Sequence, residues 1–174
     1  MERVDDQTVQ QQHDVPEATR ALSTIADPDY VDLFTITTSD AAEWSPEQWA
    51  RAAFEDVAGL KGQIIFRVLL GLRLKWRPSP AYVAGWRIAD RGENWLRLGA
   101  DSRMLTAHLV IQVDDGQMSL ATFMRYDRPI AARLWPTLSA RHRRAAPGLL
   151  RDAHRVLQPK SPPPDSRAAV PAEA

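Results

Sequence analysis

Four histidines, His13, His108, His142 and His154, are the side chains best suited to acid–base or metal chemistry, and there is no cysteine. Without cysteine the chain has no thiolate zinc site, no cysteine nucleophile and no disulfide framework. No two histidines stand at a helical ligand spacing, since His142 and His154 are twelve residues apart, so no metal site is expected. His142 lies within Arg141-His142-Arg143-Arg144, whose positive field disfavours its protonation. His108 alternates with Thr106 and Gln112 along a strand pattern, which points it toward solvent. His108, Tyr126 and Asp127 are the three acid–base candidates that fall on strands or their ends.

The other signals for chemistry have plainer explanations. Asp5-Asp6, Glu55-Asp56 and Asp114-Asp115 fall in a tail, near a helix end and in a turn, settings that account for them without catalysis. There is no glycine-rich phosphate loop, nucleophile elbow or Gly-x-Gly-x-x-Gly. Trp76-Arg77, Trp86-Arg87, Trp95 with Arg97 and Trp135 with Arg133 could stack on single-stranded nucleic acid if the charge were one-sided. Residues 33–127 carry eleven acids and eleven bases, so these read as core tryptophans beside solvated arginines. No nucleic-acid partner and no cofactor are expected.

The elements that must position these residues follow from pattern. At 174 residues, with 44% hydrophobic and 25% charged residues and zero net charge, the chain suits one soluble domain with a real core. The N-terminus lacks a secretory signal's apolar core, and no apolar run approaches the ~20 residues of a spanning helix. A soluble, cytoplasmic protein without integral membrane association is expected.

Residues 1–26 are polar, glutamine-rich and aperiodic, and read as a disordered acidic arm. Residues 27–157 read as a single domain, and residues 158–174 as a disordered proline-rich tail. Tyr30, Phe34 and Ile36 share one face of a first strand, with Asp32 as its polar exception. Ser45-Pro46-Glu47-Gln48 is a capping box with proline at the first helical position, and Trp44 and Trp49 are spaced as a hydrophobic staple. Gly59 can end that helix. Residues 60–74 repeat apolar residues every four positions and predict a second, buried helix. Four strands follow at 82–89, 94–98, 103–113 and 117–126, separated by Asp- and Gly-containing turns. The apolar face of the third, Leu105 to Val113, implies one covered and one wet sheet face.

A long arginine-rich helix closes the pattern, with Leu134, Leu138, Ala145, Leu149, Ala153, Val156 and Leu157 as its apolar stripe. Pro136 and Pro147 are expected to kink it. The fold class is therefore α+β: a curved antiparallel sheet wrapped on a long C-terminal helix, with two helices between the first and second strands.

The combination Asp29-Tyr30-x-Asp32-x-Phe34, Ser45-Pro46-Glu47-x-x-Ala50, Arg67 with Gly71-Leu72, then Arg141-His142-Arg143, Pro147 and Leu149-Leu150 resembles a bacterial family termed domain of unknown function 2867. The resemblance covers roughly residues 29–157. It implies a helix-grip fold like that of polyketide cyclases and lipid-transfer domains, and it supplies no catalytic set.

Three functions remain open on this reading. A small hydrophobic molecule, lipid or polyketide-like, could occupy a cavity between sheet and C-terminal helix. Leu105, Leu109, Ile111, Phe123, Met124, Tyr126 and Leu134 would then line it, and Arg103 or Arg125 would anchor it. A cyclase or dehydratase would use His108, Tyr126 or Asp127 inside the same cavity. An interaction protein would use the basic helix. Residues 1–32 are net −6 and residues 128–157 net +6, so the arm could also fold back on that helix.

Overall fold

The computed structural model describes residues 8–159. Seven antiparallel strands form one sheet: β1 (Thr8–Gln12), β2 (Tyr30–Thr37), β3 (Tyr82–Val83), β4 (Trp86–Arg91), β5 (Trp95–Asp101), β6 (Leu105–Asp114) and β7 (Gln117–Tyr126), in the order β1-β2-β7-β6-β5-β4-β3. The helices are α1 (Glu17–Arg20), α2 (Pro46–Arg51), α3 (Gly59–Leu69) and α4 (Pro129–Leu157). The α+β architecture, with a curved open sheet and a long C-terminal helix, is as the sequence pattern requires.

The local signals are realised directly. The Ser45 hydroxyl accepts the Gln48 N–H at 3.2 Å and Gln48 Oε1 accepts the Ser45 N–H at 2.8 Å, satisfying donors a helix start leaves orphaned. Trp44 meets Trp49 edge-on with ring centroids 5.9 Å apart. After α2 the helix widens to a π-helical segment, Ala52–Val57. Gly59, at φ +51°, then turns the chain before α3, a conformation glycine enters without a Cβ penalty.

The strand faces are fixed by register. Asp32, Phe34 and Ile36 on β2 stand opposite Thr122, Leu120 and Met118 on β7, which face Leu109, Ile111 and Val113 on β6. This inner face, with Leu96, Leu98 and Trp86, packs on Trp49, Phe54, Ala131, Trp135 and Leu150 to make the main core. Each fully buried large apolar side chain there contributes ~1.5–3 kcal/mol relative to exposure.

The outer face departs from the expected wet one. Residues 8–26 are not a disordered arm. β1 pairs with β2 through backbone bonds, and the following segment crosses the sheet. It places Val15 and Ile25 on Leu33, Val110, Ala121 and Phe123 in a second, smaller core. The Thr19 hydroxyl donates to Gln112 Oε1 at 2.6 Å and Arg97 donates to the Leu22 carbonyl at 2.6 Å. The arm therefore lies on the sheet, and among the described residues no ion pair joins its carboxylates to the α4 arginines. Residues 1–7 and 160–174 of the expected arm and tail lie outside the described residues. Gln158, assigned to the tail, is ordered and donates to Asp40.

Two helices correct the sequence reading. α4 runs unbroken through Pro136 and Pro147. Its buried positions are Ala131, Trp135, Ser139, Ala146, Leu150, Ala153 and His154; of the expected stripe only Ala153 is fully buried, and Leu134 and Val156 are exposed. α3 exists, but none of its residues is fully buried; Phe66 alone of its apolar residues packs on the main core.

Candidate functional site

The residues expected to line a cavity do not converge. Leu105, Leu109, Ile111 and Met124 point to the inner face, but each is buried against core side chains. Trp49, at 0% exposure, and Phe54 fill the space between sheet and helix. Phe123 and Arg125 point the other way, because parity along β7 puts them with Ala121. Phe123 packs under the arm, and Arg125 pairs with Asp127 at 2.9 Å on the surface. Arg103 is exposed in the β5–β6 turn, and Leu134 is exposed on α4.

The three acid–base candidates are likewise dispersed. His108 does not face solvent: it is half-buried on the outer face, its Nδ1 3.1 Å from the Ser23 hydroxyl. Burial, with the charges of Arg97, Arg87 and Arg125, pushes it down to about 4, so it is neutral at ordinary pH. The Asp127 carboxyl also binds the Thr106 hydroxyl. Burial opposes its ionisation, but the bonds from Arg125 and Thr106 outweigh that and hold it below its usual value. Tyr126 is half-buried, and burial together with the Asp29 charge raises its phenol.

Tyr30, Asp32, Phe34, His142 and Arg143, in contrast, meet in space. On the inner face of β2 the Asp32 carboxylate, side chain 2% exposed, lies 3.1 Å from His142 Nε2 and accepts the Tyr30 hydroxyl at 2.6 Å. Tyr30 meets Trp135 edge-on at 5.2 Å and Phe34 meets His142 edge-on at 6.2 Å. Arg143 donates to Ser139 at 3.2 Å and to Tyr30 at 3.4 Å. Burial, then the Asp32 charge, drives the Tyr30 phenol far above its ordinary value, so it is a fixed donor. A second pair, His154 Nε2 to Asp40 at 2.8 Å, lies at the end of α4. There His154, 1% exposed, stacks on Trp49 at 5.7 Å. Asp40 is held below its usual value: partial burial opposes ionisation, but the Thr38, Gln158 and His154 hydrogen bonds prevail. Both pairs fasten α4 to the rest of the molecule, and the space around them is side chain.

An open concavity lies elsewhere, between the start of α3 and residues 75–85, as a groove of about 650 Å³; another of about 690 Å³ is more polar and carries Glu93, Asp114 and Asp115 on its walls. Leu60, Trp76, Pro78, Pro80, Tyr82 and Ala84 give the α3 groove apolar and aromatic walls. Its polar groups are Arg51 and Glu55 on the α2–π segment, Gln63 on α3, and Lys75 and Arg77. Glu55 is already engaged, accepting Arg51 at 2.9 Å and the Ala84 N–H at 3.0 Å. The groove floor is drawn tight by the Lys75 N–H bond to the Gly85 carbonyl at 3.0 Å. A Cβ on Gly85 would stand 2.6 Å from the Lys75 carbonyl, so glycine is required there. Lys75 Nζ sits 4.6 Å over the Tyr82 ring. Arg67 stacks at 3.6 Å on Trp76 and donates to the Lys75 carbonyl at 2.6 Å.

Apart from Trp76-Arg77 as a nucleic-acid stacking pair, the sequence pattern marks none of these wall residues for ligand contact. Trp76, expected as a core tryptophan, is 76% exposed. The available signal was its setting, Lys75-Trp76-Arg77-Pro78-Ser79-Pro80, which cannot continue a helix or enter a central strand. Comparison with family models, curated proteins and solved structures finds no match.

Proposed function

We propose that this chain binds a small, largely apolar molecule carrying an anionic group, lipid or polyketide-like, in the groove between α3 and residues 75–85. The observation that carries the reading is the groove itself. It combines an aromatic and aliphatic lining with a few converging polar groups, at a volume inside the ~300–1,000 Å³ usual for small-molecule sites. The anionic preference comes from Lys75 and Arg77, which have no carboxylate partner among the described residues, while Glu55 is neutralised by Arg51. The helix-grip resemblance supports the same class of ligand, with the site moved from the packed interior to the mouth formed by α3.

The cyclase or dehydratase alternative needs an acid and a base against the bound molecule. His108, Tyr126 and Asp127 are not on the groove walls. Neither is the Asp32–His142 pair.

Titration with the anionic fluorophore anilinonaphthalene sulfonate, displaced by laurate, tests the proposal. One-to-one saturable binding is expected, weakened about tenfold or more by Lys75→Glu, the loss of an attractive charge and gain of a repulsive one. Absence of saturable binding, or indifference to Lys75→Glu, would overturn it.

A further inference from the structure

Helix α3 is amphipathic the wrong way round. At 100° per residue, Leu60, Ile64, Val68, Ile65 and Leu69 fall within one half of its circumference together with Lys61. That half faces outward: Leu60 is 71% and Val68 73% exposed, with Ile64, Ile65 and Leu69 exposed as well. The other half faces the protein and carries Gly62, Gln63, Phe66 and Arg67. Phe66 meets Trp86 edge-on at 5.5 Å, and a Cβ on Gly62 would stand 2.9 Å from that of Ala58. The inward half thus has its own packing reasons, and the outward apolar half has no partner among the described residues.

Charge names the partner. Residues 59–81 contain Lys61, Arg67, Arg73, Lys75 and Arg77 and not one acid. Among the described residues Arg73 alone of these pairs with a carboxylate, Asp101, at 3.4 Å across an exposed contact. Trp76 lies just beyond α3, amphipathic, exposed and backed by Arg67, the side-chain type that settles at a lipid–water boundary. Outward aliphatic side chains, an interfacial tryptophan and an unrelieved cationic fringe together match an anionic bilayer surface. We infer that α3 and residues 73–77 dock this protein on anionic lipid membranes, the helix lying in the interface. No helix of the described residues is long and apolar enough to cross a membrane, so the contact is with one surface only.

This inference goes beyond the groove reading and does not depend on it, because Ile65 and Val68 are not groove residues. Flotation of the full chain with vesicles of phosphatidylcholine, with and without phosphatidylglycerol, tests it. Binding is expected only to the anionic vesicles, at least about tenfold weaker in 0.5 M than in about 0.1 M salt because the charge contribution is screened. The pair Ile65→Ser and Val68→Ser should lower it by about tenfold or more while leaving laurate binding intact. Lys61→Glu with Arg77→Glu should lower it as well. Failure to bind anionic vesicles, or unchanged binding in both variants, overturns the inference. So does a dimer in light scattering that the Ile65→Ser and Val68→Ser pair disperses, since the face would then belong to a second copy.

Discussion

Helices α3 and α4 invert what their compositions suggest. α3 is the more apolar, yet none of its residues is fully buried. α4 carries seven arginines with its cap residue Arg128, and it buries seven residues, two of them Ser139 and His154. Burial here follows partners rather than hydropathy. α4 turns His142 and His154 inward because Asp32 and Asp40 stand opposite to receive them, while Ser139 donates to the Pro136 carbonyl of its own helix. α3 keeps apolar residues outward because Gly62 and Phe66 already define its inner contact. An apolar face held out of the core by the fold is a face for something else.

The sharpest break in that comparison comes at Asp32. Asp32→Ala leaves His142 and Tyr30 without their shared acceptor inside the α4 interface, and stranding a buried hydrogen-bonding group costs ~1–3 kcal/mol. Urea denaturation should show that loss. A change below about 1 kcal/mol would mean that apolar contacts alone hold α4.

A smaller effect separates the outer face from the inner one. The folded state holds His108 at about 4, below the ordinary histidine value of about 6.5. The unfolded chain therefore takes up a proton between those values that the folded chain refuses. The stability involved is complete above about pH 6.5 and is lost as pH falls toward 4. Allowing for solvent screening of a half-buried ring, the loss is about 1–2 kcal/mol. Urea midpoints measured from pH 7 to pH 4.5 should fall more steeply in the native chain than in His108→Gln. Parallel slopes would remove His108 from the account.

What the sequence disclosed follows the range of the interactions involved. The Ser45–Gln48 box and the Asp114-Asp115-Gly116 turn are settled within a few residues, so they read directly; Gly99-Ala100-Asp101, expected as a turn, instead belongs to β5, and the expected strand 82–89 is split into β3 and β4. β1 was missed because Thr8–Gln12 pairs by backbone alone and leaves almost every side chain exposed, so it carries no alternation of hydropathy. The facing of α4 was missed because it depends on Asp32 and Asp40, more than a hundred residues away in the chain. His142 and His154 have no metal-ligand spacing along the chain, yet each is the partner of a distant aspartate. The groove was missed for a related reason: periodicity identifies α3 as a helix but does not say which way it faces.

The most direct measurement is the unfolding free energy of the full chain carrying Leu60→Ser and Val68→Ser. If the α3 face is free in the folded protein, the value stays within about 0.5 kcal/mol of the native one, as for ordinary surface substitutions. A loss of about 2 kcal/mol or more, of the size expected for truncating core side chains, would show that this face is buried after all and contradict the account.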